Sequence, residues 1–517
     1  MDIKRAKEEI KDSIEAYLLK DAYGEYEIPV MRQRPIFLLG APGIGKTQIM
    51  EQVARECGIG LVAYTITHHT RQSAIGLPLI SKNEYGGKAY SVTEYTMSEI
   101  IASVYKKIEE TGLSEGILFI DEINCVSETL APAMLQFLQY KTFGNHEVPK
   151  GWVIVAAGNP PEYNKSVREF DVVTMDRVKK IEVEADFSVW KEYAYHQGIH
   201  PAVISYLTNR QNYFYKMEHT VDGSFFATPR GWEDLSRLIQ VYEKLGKKVD
   251  RDVVGSYIQF PEIAKDFANY LELYYRYEAD YQVEQVMEGK IPEILLKKIS
   301  HASFDEKLSV ISLLLARVTE VFRKVFGQEA YVSMLFEKLK QYKDVLGQKK
   351  EAVEAFREIL EETCEEQKEK ERAKLLTKTE KIVYRKGIEK LELYLKVLEE
   401  EQISDGENAF EKIRGLFAEE RGAYEKLEES AGQKLEYAFD FMEIAFGASQ
   451  EMTIFITELN MNAYSVKSFR NTSAIDIINT TSSLCLMRLT EISGTGSSGW
   501  RCRFREYKSS PGHRVYL

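Results

Sequence analysis

The chain is short of the residues that build covalent staples and metal cages. Its five cysteines, Cys57, Cys125, Cys364, Cys485 and Cys502, share no paired spacing across 517 residues. That scatter excludes a disulfide framework, offers no zinc site and fits a reducing cytoplasm, the expected compartment. Histidine is sparse too. His68 and His69 are neighbours, and adjacent strand residues point to opposite sides, so a metal pair is not expected there. His196 and His200 lie four apart on an expected helix with no H-E-x-x-H glutamate, which predicts a surface or packing role. No apolar run approaches the roughly 18 residues of a membrane span. The start, Met1 to Glu9, lacks the apolar core of a signal peptide. It reads instead as an amphipathic helix with Ile10, Ile14, Tyr17 and Leu18 on one face. Net positive charge is missing as well. A formal charge of −12 makes a surface that a duplex would repel, so nucleic acid is not an expected partner.

What the chain does have is length, too much for one core, and the composition of a soluble globular protein. Residues 30–190 alternate short apolar runs with helical stretches, the pattern of a parallel sheet with helices on both faces. The expected strands are Ile36–Leu39, Leu61–Thr65, Ile117–Ile120, Val153–Ala157 and Ile181–Val183. The fold class is therefore α/β, with domains at 1–190 (core and N-terminal helix), 191–290 (tyrosine-rich helical lid), 291–465 (charged helical, coiled-coil-like region) and 466–517 (tail). In the third region Leu308, Ile311, Leu315, Val318, Phe322 and Val325 step by three and four, as do Ile388, Leu391, Leu395 and Leu398. These are seams for helix-on-helix packing. The run Glu361 to Arg372 reads as one exposed helix face supported by pairs such as Glu366–Lys370, with an acidic docking surface as the alternative. The tail is rich in Ser, Thr, Gly and Arg and loses the helical pattern. It reads as a poorly ordered end, as a basic segment with Arg501, Arg503 and Arg505, or as a stretch translated out of frame.

The chemistry starts at Gly40-Ala41-Pro42-Gly43-Ile44-Gly45-Lys46-Thr47, which follows the apolar run Pro35 to Leu39 and opens a helix. Strand, glycine loop and helix start are the context of a phosphate-binding loop. The glycines turn successive N–H groups toward one anion, and the helix adds its positive dipole end. Lys46 would reach the outer phosphates, and the Thr47 hydroxyl would hold magnesium. Downstream, Ile117 to Ile120 runs into Asp121-Glu122, an apolar strand ending in two carboxylates. Asp121 would join the magnesium shell and Glu122 would polarise an attacking water. The next strand ends in Gly158-Asn159-Pro160, where the Asn159 amide can hydrogen-bond that water or the terminal phosphate. Arg177, in Asp176-Arg177, and Arg230, in Thr228-Pro229-Arg230, would meet the charge that a phosphoryl-transfer transition state spreads over its oxygens. Arg168 competes with Arg177 for the first of these roles.

In this order the motifs resemble an AAA+ ATPase. They are most similar to the MoxR and dynein-related branch shared with magnesium chelatase. Thr70 to Pro78 resembles that branch's helix-2 insertion region, and Lys141 to Pro149 its hairpin before the sensor strand. The resemblance covers roughly residues 30–285. It implies a P-loop NTPase core using ATP and Mg2+, with Gly40–Thr47 as Walker A, Asp121 and Glu122 as Walker B, Asn159 as sensor 1, Arg230 as sensor 2 and Arg177 as an arginine finger. Relatives usually carry an apolar aromatic after the Asp-Arg pair, where Val178 stands here. The resemblance further implies a homo-oligomeric ring, hexameric by that resemblance, and chaperone-like action on a protein partner such as one with a von Willebrand factor A domain. The rival reading is a nucleotide-gated binding switch with little hydrolysis.

Overall fold

A computed structural model describes residues 1–461 apart from 69, 144, 164–166, 168–169, 222 and 348–350. The tail, His69 and Arg168 lie outside the described residues.

Five parallel strands form the central sheet: β1 (Ile36–Gly40), β2 (Gly60–Thr65), β3 (Gly116–Asp121), β4 (Trp152–Gly158) and β5 (Lys179–Val183), in the order β2-β3-β4-β1-β5. Both faces are covered, so successive residues enter opposite cores. Leu38, Phe119, Val155 and Ile181 face the helices Ile3–Leu18 and Lys46–Cys57. Phe37, Leu118, Ile154 and Ala156 face Glu99–Thr111 and Ala131–Tyr140. This burial on both sides explains why the strands read as unbroken apolar runs. The N-terminal helix is capped by Asp2 and buries Ala6, Ile10 and Ile14. Lys179 ties it to the sheet through Glu9 at 2.5 Å and Ser13 at 2.6 Å.

Of the two regions singled out by resemblance, residues 70–78 hold the short helix Arg71–Ile75 and lead into a hairpin, while residues 141–149 contain one. Pro78–Tyr85 pairs with Lys88–Tyr95, and Thr142–Phe143 pairs with His146–Glu147. His146 meets the Tyr95 carbonyl at 3.1 Å, linking the two hairpins.

After β5 the chain is mainly helical, interrupted by the hairpin Lys216–Thr220 with Gly223–Ala227. The helices Phe187–Gln197, Pro201–Asn209, Pro229–Lys244 and Pro261–Tyr281 share one hydrophobic core with the first half of Phe304–Leu346, the end of Gly406–Phe446 and the helix Gln450–Met461. Leu308, Ile311, Leu315, Val318, Phe322 and Val325 are all buried in it. The 43-residue helix Phe304–Leu346 is about 65 Å long. Its distal half packs with Ala352–Arg372, Lys378–Glu400 and the start of Gly406–Phe446 around a second core. In that core Leu391 and Leu398 are buried, and Gly387 lets Met334 approach so closely that an added Cβ would lie 2.5 Å from its sulfur. Lys107 donates to the Arg372 carbonyl at 3.2 Å, joining the distal helices to the α/β core.

One expectation about a helix is corrected. Gly198, at φ 68, ends the helix Phe187–Gln197, so His196 and His200 do not share an element. His200 instead caps Pro201–Asn209, accepting from the Ala202 N–H at 3.2 Å, and meets Glu243 at 2.8 Å. Among the described residues no helix is long and apolar enough to cross a membrane, and no His, Cys, Asp and Glu group could hold a metal as a cluster of three.

Candidate nucleotide site

The strand order brings the C-terminal ends of β1, β3 and β4 side by side, and the charged and polar candidates sit at those ends. Beyond β1 the loop turns through Gly43 at φ 78 and Gly45 at φ 98, values that favour glycine. The helix Lys46–Cys57 then starts at Lys46 itself. The Lys46 ammonium folds back over the loop. It donates to the Gly40 carbonyl at 2.7 Å, the Ala41 carbonyl at 2.8 Å and Asn159 Oδ1 at 3.0 Å. Burial pushes its pKa down to about 8. The Asp121 carboxylate pulls the other way, while the Arg230 guanidinium adds to the depression.

Thr47 Oγ1 donates to Asp121 Oδ2 at 2.9 Å. The other Asp121 oxygen accepts the Glu122 N–H at 3.0 Å. Glu122 lies in the left-handed region, at φ 58, where the chain leaves β3 sharply. Its carboxylate accepts from Thr67 Oγ1 at 3.1 Å, just beyond the end of β2. Hydroxyl and carboxylate oxygens set side by side are a donor set suited to magnesium. The loop is a cradle with an ammonium at its centre, so the residues present fit a magnesium-bound triphosphate.

Two residues of this site carry no signal in the motif reading. Asn124 sits in the short turn Ile123–Cys125 and is 4% exposed. It donates to the Asn159 carbonyl at 2.7 Å and accepts from the Asn159 N–H at 3.2 Å. Thr67 is the other. Their only trace in the sequence is a position a few residues past a strand end, which any turn residue shares.

The helical region closes over the loop. Thr228 caps the helix Pro229–Lys244 by accepting from the Gly231 N–H at 3.2 Å. The Arg230 N–H donates to the Gly43 carbonyl at 3.3 Å, and a Cβ on Gly43 would lie 3.2 Å from the Thr228 Cβ. Arg230 is thus at the loop. Arg177 is not. It is exposed, next to the N-terminal end of β5, and Lys179 pairs with Ile36 at the start of β1. The loop is at the other end of β1, roughly 16 Å away for a five-residue strand.

Residues 35–178 match the AAA domain, dynein-related subfamily. The matched span contains the loop, Asp121, Glu122, Asn124, Asn159 and Arg177, and stops short of Arg230. A domain of this type supports nucleotide binding by an AAA+ ATPase core. A search of curated proteins finds no match to the chain.

Proposed function

We propose that the chain is an ATP hydrolase that works as a ring, hexameric as in the MoxR-like branch, and converts nucleotide turnover into remodelling or activation of a protein partner. The observation that carries this reading is the bond from Lys46 to Asn159 beside the bond from Thr47 to Asp121, which gathers groups from three strand ends at one loop. Lys46 and the loop N–H groups would bind the phosphates, and Thr47 and Asp121 would hold the magnesium ion. When bound, the metal supplies neutralisation of charge on the transferred phosphoryl group. Glu122 would orient and deprotonate water, with Asn159 holding that water or the phosphate oxygen. Arg230 would engage the same nucleotide from the lid. Arg177 stands too far from its own loop and would act on the site of a neighbouring copy, which makes activity depend on assembly. The exposed Val172 and Val173, in the short helix just before Arg177, support a contact face there. A von Willebrand factor A-domain protein is the proposed kind of partner, and the cytoplasm the proposed compartment.

Glu122→Gln tests the reading. The variant should bind ATP and lose turnover. Unchanged turnover in Glu122→Gln would remove Glu122 from the chemistry, and absence of ATP binding to the folded wild type would remove the function altogether. One observation favours the rival switch reading. Thr67 holds the Glu122 carboxylate, which would slow hydrolysis while nucleotide stays bound.

A further inference from the structure

Away from the nucleotide site, a half-open cleft of about 1330 Å³ lies between the lid helices and Phe304–Leu346. It exceeds the size of an ordinary small-molecule pocket. Its floor is apolar, with Leu308, Ile311, Leu315 and Ile454. Its charges are unevenly satisfied. Of the acids on its walls, Glu243 is bonded to His200 and Tyr275, and Glu458 to Lys191 and Tyr195. Glu278 and Glu320 are paired with Arg317. Asp250 caps the helix Arg251–Tyr257 through the N–H groups of Asp252 and Val253. Glu272 alone has no partner among the described residues.

The cations on one rim are different. Lys244, Lys247, Lys248 and Arg251 are all exposed and line the cleft, and none makes an ion pair among the described residues. Six Lys or Arg and six acidic side chains line the cleft as a whole, so its formal charge balances, but four of the cations are gathered on the 244–251 rim with Asp250 as the one acid there, which makes that rim locally cationic in a chain whose net charge is −12. From these observations we infer that the cleft is a docking site for an acidic polypeptide segment of a partner protein, with carboxylates on the 244–251 rim and apolar side chains on the floor.

The site is placed to influence the nucleotide loop. The helix Pro229–Lys244 has Arg230 in its first turn, bonded to Gly43, and Glu243 and Lys244 in its last, at the cleft. One rigid element of about 24 Å therefore joins the two sites. Docking itself does not require that ATP be hydrolysed, so it can be measured without nucleotide and can fail or succeed independently of the proposed function.

The test uses the full chain and fluorescence anisotropy with three probes: a short labelled peptide alternating Glu and Leu, the same peptide with Lys for Glu, and a single-stranded DNA of equal length. The Glu peptide should bind, more weakly as salt rises. The Lys247→Glu/Lys248→Glu/Arg251→Glu variant, whose changes are all on exposed side chains, should bind it at least about tenfold more weakly with an unchanged melting profile, because reversing rim charges acts directly on an electrostatic complex. The Lys peptide should not bind. The inference is overturned if the Glu peptide does not bind, if both peptides bind alike, or if the variant binds as well as the wild type. Binding of DNA in preference to the Glu peptide would also overturn it and would make the cleft a nucleic-acid groove.

Discussion

Asn124 grips the backbone of Asn159 with both ends of its amide, donating to the carbonyl at 2.7 Å and accepting from the N–H at 3.2 Å. The Asn159 side chain is left to meet Lys46. Asn124 comes from the turn after β3 and Asn159 from the end of β4, so the pair sets the spacing of two strand ends. Asn124→Ala would leave both Asn159 backbone groups without this partner, each worth about 1–3 kcal/mol if it stays buried and unsatisfied. Turnover should fall about a hundredfold, the scale for misplacing a group at a reacting centre by about 1 Å. ATP affinity should hold. Steady-state turnover measured beside equilibrium nucleotide binding separates the two, and a parallel loss of affinity would mean Asn124 only stabilises the fold.

Thr67→Val should have the opposite effect on rate. It removes the hydroxyl that holds Glu122 and keeps the volume. One hydrogen bond of about 1 kcal/mol corresponds to roughly a fivefold change in the population of a released carboxylate. Basal turnover of the isolated protein should rise about two- to fivefold. A fall would place Thr67 among the groups that orient Glu122 for the reaction.

Lys46 gives the site a pH signature. Burial sets its pKa at about 8 in the folded chain, against 10.5 for the ordinary side chain. Between those values the unfolded chain binds more protons than the folded one, so this group makes stability rise with pH across that window. A triphosphate favours the ammonium, so binding at pH above about 8 should take up a proton, while binding at about pH 6.5 should take up almost none through Lys46. Calorimetric titration in two buffers of different ionisation heat reads the uptake. The same small uptake at about pH 9 as at about 6.5 would contradict the assignment.

Arg177→Ala should keep ATP affinity and lose turnover by about a thousandfold or more, and Arg177→Lys should not restore it, since a lysine lacks the planar fork. Wild-type activity per chain should drop on dilution. Full activity in monomers isolated by sedimentation would rule out action on a neighbouring site.

Lys191 and Glu458 join the first helix after the sheet to the helix Gln450–Met461, and their side chains are 5% and 10% exposed. Removing one partner strands a buried charge. Glu458→Ala should cost about 3–5 kcal/mol, while Lys191→Met/Glu458→Leu should recover most of it. Urea denaturation followed by circular dichroism checks both. Equal losses in the single and double variants would show that packing, not charge, is what the pair supplies.

Much of the architecture is legible in the sequence because it is local. The apolar runs Ile117–Ile120 and Val153–Ala157 are the centres of strands buried on both faces. The glycine loop declares itself, since Gly43 and Gly45 adopt the backbone angles that a side chain would oppose. The seam from Leu308 to Val325 is buried along its length. Other features are illegible for equally physical reasons. The spacing of His196 and His200 suits a helix, yet Gly198 ends it between them. Asn124 and Thr67 gain a role only from where β2, β3 and β4 bring them.

The amino-acid sequence alone determined the chemistry at each strand end and the periodicity of each helix, because hydrogen bonding and side-chain alternation act over a few residues. Tertiary structure alone decided that Lys46 meets Asn159 from 113 positions away, that Arg230 reaches the loop while Arg177 faces outward, and that the lid shares a core with the long helices. Those outcomes depend on strand order and on which faces pack together. Many arrangements of the same local elements satisfy their hydrogen bonds equally well, and only the fit of the whole buried surface selects one.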